Sequence, residues 1–187
     1  RSFGDQDQSG IASLFRLLGD ESIGRVIANR QEEQEKLTEE LTLLVRKSSL
    51  GQLFDFDRPH SLEARAYLNF LPHDEQTTFS FAIRIIDSLV RCKEALDLGQ
   101  SPGNEKMENL NRALNIFDDN TPGIESLKKG CEDLKTPPRR TLGDKFAGID
   151  PVQAIKNELS CNITNLLIRL RTTKFSDFRN QTRENTT

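Results

Sequence analysis

Apolar residues recur at helical spacing over most of the chain, and the densest run lies between residues 74 and 98. The apolar positions three and four residues apart are Phe79, Ala82, Ile83, Ile86, Leu89, Val90 and Leu96. Phe81, Ile85 and Cys92 occupy the opposite side, so the first half of this helix is apolar nearly all round. Because such a helix is usually enclosed by others, we predict a buried central helix with Ile86 and Leu89 in the core.

Turn and cap residues set the predicted limits of the other helices. Gly99 ends the central helix, and Asn104 is an N-cap candidate for the next one. Thr121-Pro122 and Asp150-Pro151 each combine an N-cap residue with a proline at the first helical position. Helical spacing or these signals place further helices near residues 11–18, 22–47, 61–71, 104–117, 121–134 and 151–170.

These elements predict an all-α fold, a multi-helix bundle of about six or seven helices around the buried central helix 74–98. Residues 1–8 are expected to be a flexible N-terminal segment, and residues 9–172 a single helical domain. Within that domain, the proline- and glycine-containing residues 136–148 are expected to form an exposed connection. Residues 173–187 are predicted to be a polar C-terminal tail.

The predicted helix over residues 22–47 carries a seam of interleaved positions seven residues apart. Its members are Ile23, Ile27, Arg30, Gln34, Leu37, Leu41 and Leu44. They span about three heptads, with polar residues in the middle. Two interpretations stay open: a single amphipathic helix lying on the core, or a helix that projects as a coiled-coil arm. A second long stripe comprises Val152, Ile155, Leu159, Ile163, Leu166 and Leu170.

These two stripes lead to a functional hypothesis. A domain of this size, whose central helix is already apolar all round, has less need of both stripes to close its core. An apolar face left over requires a partner. We therefore expect a non-enzymatic protein–protein interaction or scaffolding domain that binds another protein or a second copy of itself through the seam Ile23–Leu44, the stripe Val152–Leu170 or both. The seven seam residues are the candidate partner-binding residues, and the alternative is that both stripes fold inward.

Charge and cysteine content narrow the choice of function. The 187 residues include 26 basic and 29 acidic ones, a net charge of −3, which makes nucleic acid an unlikely partner. A nucleoprotein component remains an alternative, based on Arg139, Arg140, Arg169, Arg171, Lys174, Arg179 and Arg183. Three cysteines without a CxxC pair suggest buried, reduced thiols in an intracellular protein of unspecified compartment. No apolar run approaches the roughly 20 residues of a membrane span.

Histidine chemistry supplies the second alternative, a small helical metal-dependent hydrolase that uses His60, His73 and Asp74. The two histidines are only thirteen residues apart, which does not fit the separated ligands of such helical enzymes. No serine-nucleophile motif or glycine-rich phosphate loop occurs. We therefore expect no metal, no cofactor and no catalytic residue.

Modification chemistry points to the exposed connection. Thr136 and Thr141 flank the short basic, proline-rich sequence of residues 137–140. Exposed chain of this kind is accessible to kinases, so both threonines are candidates for regulatory phosphorylation.

Overall fold

The computed structural model describes residues 31–182, and every regular element in that range is a helix. The helices are α1 Gln31–Lys47, α2 Leu50–Leu53, α3 Leu62–Phe70, α4 His73–Asp97, α5 Asn104–Leu114, α6 Ile124–Lys135, α7 Leu142–Ala147, α8 Pro151–Thr172 and α9 Phe175–Asn180. The predicted all-α class is confirmed. The bundle arrangement around a central helix stays a prediction.

The described residues contain more helices than expected because three short ones join the six predicted there. These are α2, α7 and α9, of four to six residues each. The predicted helix near residues 11–18 and the seam positions Ile23, Ile27 and Arg30 lie outside the described residues. Residues 31–182 belong to two compact units, described separately below, and the predicted single domain stays a prediction.

Of the described residues, unit one comprises 31–83 together with Arg171–Asn180. Phe79 is fully buried in it, with its ring centroid 4.4 Å from that of Phe54 and 6.0 Å from that of Phe175. The N–H of Leu50 donates to the carbonyl of Thr173, and the N–H of Phe175 donates to the carbonyl of Ser48, both at 2.8 Å. These two bonds hold residues 173–175 against residues 48–50, which follow α1.

The segment predicted as a polar tail, residues 173–187, contains a short helix that packs within unit one. Residues 175–180 form α9, which packs against α1, and both Phe175 and Phe178 are fully buried. Two phenylalanines three residues apart give such a short helix one apolar face, and burying that face stabilises it.

Of the described residues, unit two comprises Arg84–Leu170 together with residues 181 and 182. Ile86 and Leu89 are fully buried there, as predicted. The N–H of Asp118 donates to the carbonyl of Gln181 at 2.7 Å and fixes the last described residues. Asp150 accepts a 3.1 Å hydrogen bond from the N–H of Val152 at the start of α8, as its predicted N-cap role requires.

The cysteines divide into two kinds, and all three are free thiols. Burial raises the pKa of Cys92 to about 11 and that of Cys131 to about 12. Both therefore stay protonated at neutral pH. Cys161 is exposed, which corrects the expectation that all three are buried. It lies two residues from both Leu159 and Ile163 in the sequence, which places it on the side of α8 opposite these buried residues.

Candidate interaction surface

The connection between α6 and α8 contains a short helix that is capped at its N-terminus. The hydroxyl of Thr141 accepts a hydrogen bond from the N–H of Asp144 at 3.1 Å. The carboxylate of Asp144 accepts one from the N–H of Thr141 at 3.0 Å. This reciprocal capping box satisfies two otherwise unpaired donors, and the hydrogen bonds from Thr141 lower the pKa of Asp144.

The C-terminus of α7 is capped by backbone hydrogen bonds, as its N-terminus is capped by side chains. Gly148 adopts φ +71°, the left-handed conformation that glycine accepts most readily. The N–H of Gly148 donates to the carbonyl of Lys145 at 3.3 Å, and the N–H of Ile149 to that of Asp144 at 2.8 Å, which is a Schellman arrangement. The guanidinium of Arg140 donates to the carbonyl of Ile149 at 2.9 Å and ties the two ends of the segment together.

Helix α7 buries none of its six residues, and its large apolar side chains lie in solvent. The exposed fraction is 69% for Leu142, 85% for Phe146 and 50% for Ile149. Leu142 and Phe146 stand four residues apart and share one helix face. Ile149 follows directly after the glycine that ends the helix. We call these three residues the apolar triad.

Positive charge predominates before and within α7, whereas the exposed carboxylate of Asp150 follows the apolar triad. Residues 136–149 carry three cations, Arg139, Arg140 and Lys145, against the single carboxylate of Asp144, a net charge of +2 in a chain of net charge −3. All three cations are exposed. The Asp144 carboxylate accepts the capping bond from Thr141, so it is engaged within the helix end.

The proposed seam on α1 is largely turned inward within unit one. Leu37 is 8% exposed and Leu41 is 3% exposed, Leu44 is partly buried and Gln34 is exposed. In the second stripe, Leu159, Ile163, Leu166 and Leu170 are buried in unit two, while Val152 and Ile155 are partly buried. The partner-binding role of the seam stays a prediction, and these leucines contribute to the core of their own unit.

The candidate phosphorylation sites are both exposed and both hydrogen-bonded. Thr136 follows α6, where its hydroxyl donates to the carbonyl of Glu132 at 3.2 Å. Thr141 is the N-cap of α7. The structure therefore places the two threonines at the ends of neighbouring helices.

The residues of the hydrolase alternative lie in unit one, where His60 is exposed in a turn and His73 begins α4. Asp74 is exposed, with its carboxylate 3.9 Å from the guanidinium of Arg179. Within residues 31–182, no three histidine, cysteine, aspartate or glutamate side chains approach closely enough to hold a metal ion.

The neighbouring carboxylate, Glu75, is buried and paired twice. The guanidinium of Arg46 donates to it through Nε at 2.7 Å and through a second nitrogen, and Arg179 donates at 3.4 Å. These ion pairs connect α1, α4 and α9 inside unit one. A carboxylate held by two guanidinium groups acts as a structural ion pair.

Four of the seven basic residues of the nucleoprotein alternative contact their own chain, and one of them is Arg140 through its bond to Ile149. Arg169 donates to the carbonyl of Pro122 at 2.7 Å, and Arg171 lies over the ring of Phe56, 5.1 Å from its centroid. Arg179 belongs to the Glu75 cluster, and Arg183 lies outside the described residues. Arg139, Arg140 and Lys174 are exposed.

A surface cavity of about 340 Å³ in unit two has a charged lining. Its residues include Asp87 and Arg91, which form an ion pair at 2.9 Å on α4. Glu105 and Lys106 line it from α5 and are exposed. Two of the four charged groups in this lining are thus paired with each other, and the other two are exposed to solvent.

No known protein family matches the chain, and neither a curated protein nor a solved structure matches it. None of the described helices is long and apolar enough to cross a bilayer. Function therefore has to be argued from the residues alone.

Sequence reasoning missed the apolar triad because a segment rich in proline, glycine and charge was interpreted as a plain connection. The signal was nevertheless present. Thr141 and Asp144 have the T-x-x-D spacing of a capping box, and Gly148 follows as a helix-ending glycine. Leu142 and Phe146 between these caps then fall on one face.

Proposed function

We propose that the protein acts by binding another protein through an exposed apolar helix face, and that α7 carries this face. The observation that supports the proposal is the exposure of the apolar triad, above all of Phe146. Two large apolar side chains on one capped helix, with a third directly after its end, are unfavourable in water unless another surface covers them. A preformed helix also loses little conformational entropy on binding, and this is the general advantage of helix-in-groove recognition.

The burial of Leu37 and Leu41 favours α7 over the seam on α1 as the binding face. Both leucines are already covered within unit one, so exposing them to a partner would require part of that unit to open. Leu43 is the large apolar residue that α1 exposes within its described length. A single exposed leucine is ordinary for a surface helix and needs no partner.

The size of the apolar triad limits the affinity that it supplies. Together its exposed fractions amount to about two complete side chains, and burying these contributes roughly 3–6 kcal/mol. A Kd of 1 mM corresponds to about 4 kcal/mol, before the ordering costs of association. The triad alone therefore supports only weak binding, and the remainder has to come from other groups of the same segment.

Phosphorylation of Thr136 or Thr141 is proposed as the regulation of this binding. A phosphate on Thr141 places about two negative charges beside Arg139, Arg140 and the Asp144 carboxylate. It changes the charge of the segment from basic to near neutral. Thr136 lies five residues earlier, outside the capping box, and its modification alters the charge alone.

The test replaces Phe146 by Asp in the 187-residue chain. Tagged protein is purified from the expressing cells together with anything bound to it, and light scattering measures the mass of the purified species. We expect the wild-type chain in a complex heavier than the monomer and Phe146→Asp as a monomer with an unchanged circular dichroism spectrum, because α7 buries nothing.

Leu98→Asp is the matched control, because Leu98 is 74% exposed, lies in the same unit and is outside α7. This variant should keep the complex. A wild-type chain that stays monomeric, or a Phe146→Asp variant that keeps its complex, contradicts the proposal.

A further inference from the structure

The exposed cations near the apolar triad indicate which kind of partner surface α7 would bind. We propose that the partner presents an apolar groove bordered by aspartate and glutamate side chains. This inference rests on the proposed function and names the kind of surface that α7 fits. The triad enters the groove, and Arg139, Arg140 and Lys145 meet the acidic border.

The positions of the cations support a border rather than a single contact. Arg139 and Arg140 precede Leu142, whereas Lys145 directly precedes Phe146 on the helix. The guanidinium of Arg140 is held against the carbonyl of Ile149, so its position is fixed before binding. Cations therefore stand on both sides of Leu142 along the chain. A complementary surface needs negative charge at the edges of an apolar centre.

The cations also supply what the triad lacks. Burial of the triad alone gives no better than millimolar binding, so a useful complex requires a second contribution. Charged groups at the edge of an interface steer the encounter and add affinity that falls with salt. The carboxylates of Asp144 and Asp150 oppose this only weakly, because each accepts a helix-capping hydrogen bond, from Thr141 and from Val152 respectively.

A second copy of this chain fits the segment less well than another protein. Two α7 segments would bring net charges of +2 together. The exposed acidic residues of α1 have the right sign, and they are Glu32, Glu33, Glu35, Glu39 and Glu40. They accompany only Leu43 as a large exposed apolar residue on the described part of α1, which leaves no groove for three apolar side chains.

An anionic bilayer is the other surface that combines acid with an apolar interior. Helix ends fixed by hydrogen bonds lower the ordering cost of binding to either surface. A fluid bilayer, however, has no walls of fixed shape that a rigid helix could match. A protein groove of fixed shape does gain from that rigidity. The closed ends of α7 therefore favour a protein partner, and the bilayer becomes one outcome of the test.

The experiment places the photo-crosslinking residue p-benzoylphenylalanine at position 146 of the 187-residue chain. Irradiation is carried out in extract of the expressing cells at several salt concentrations, and mass spectrometry identifies the linked residue. We expect the crosslink to reach an apolar residue that lies between acidic ones on another protein. The yield should fall about tenfold between low and high salt, because exposed charges are screened.

Charge reversal is the second arm of the experiment, in the double variant Arg139→Glu/Lys145→Glu. Arg140 is kept because of its bond to Ile149. This variant should lower the crosslink yield about tenfold at low salt and behave like the parent chain at high salt. The matched control reverses two exposed lysines elsewhere, Lys47→Glu and Lys129→Glu, and should change the yield little.

A third variant, Leu142→Asp/Ile149→Asp, separates the two claims. If it removes the crosslink while charge reversal and salt have no effect, the protein binds through α7 but the acidic border is wrong. If neither variant changes the yield, or no protein is linked, the proposed function fails as well. Crosslinks to lipid, or to another residue of this chain, overturn the partner class.

Discussion

Glu75 is the residue whose environment is most costly to alter. Its side chain is only 2% exposed, whereas those of Arg46 and Arg179 are 44% and 30% exposed. The carboxylate is therefore the buried member, and the arginines reach it from the surface. Removing a charge's partners inside a protein costs far more than breaking an exposed pair.

We predict that Arg46→Ala/Arg179→Ala lowers the free energy of unfolding by about 3–5 kcal/mol, because it leaves a buried carboxylate uncompensated. Each single substitution should cost less, since the other guanidinium stays in place. The measurement is urea unfolding followed by circular dichroism. Arg91→Ala, which breaks the exposed pair with Asp87, serves as the control and should cost at most about 1 kcal/mol. Equal costs for the double variant and the control would contradict the structural role of the cluster.

At the level of elements, α7 is stabilised by its ends rather than by packing. Isolated helices of six residues are unstable in water because nucleation is unfavourable. Here the capping box, the Schellman arrangement and the bond from Arg140 to Ile149 replace the missing tertiary contacts. The stability of a helix held by its caps depends on the individual side chains that form those caps.

Asp144→Ala tests that dependence. The change removes the acceptor that the N–H of Thr141 uses, and loss of a cap costs about 0.5–2 kcal/mol. Hydrogen exchange at the amides of Gly148 and Ile149 should accelerate about 2- to 30-fold, which is that free energy expressed as a rate ratio. Global melting should not change, because α7 buries no side chain. Lys145→Ala is the control, and an equal effect there would show that the cap is not what holds the helix.

The long helices could be predicted from the sequence because their apolar spacing extends over many residues. Their starts were less certain. Thr121-Pro122 predicted the beginning of α6, but the helix begins at Ile124, after Gly123 with φ +84°. The carbonyl of Thr121 instead accepts a turn bond from the N–H of Ile124. A cap-and-proline signature is also compatible with a turn, and tertiary contacts decide between the two.

The short helices and the candidate surface could not be predicted in the same way. Helix α9 has only Phe175 and Phe178 to mark a face, which is too short a pattern to distinguish from a tail. At Leu37 and Phe146 the apolar pattern is clear, but it does not reveal which side chain is buried. Both are apolar residues at helical spacing, yet the first is 8% exposed and the second 85%. Spacing predicts that an apolar face exists, but only the packing of the chain decides which face remains uncovered.

On the scale of the whole molecule, most of the long apolar stripes are covered by the chain itself. The large apolar residues that the described chain leaves exposed are the apolar triad together with Leu43, Phe70, Leu98 and Ile168. The buried stripes of α1 and α8 contribute to the two compact units. The apolar triad of α7 contributes to neither core, although its helix is fully capped. The exposed triad is therefore the feature on which we base the proposal that the protein acts by association.

The most direct measurement of this claim is hydroxyl-radical footprinting of the chain alone and in its complex, with oxidation quantified residue by residue. Phe146 should be strongly oxidised in the isolated chain and protected in the complex. Leu43, 51% exposed on α1, is the internal comparison and should be oxidised equally in both. Protection of Leu43 with unchanged oxidation of Phe146 would place the partner on α1 and contradict the account.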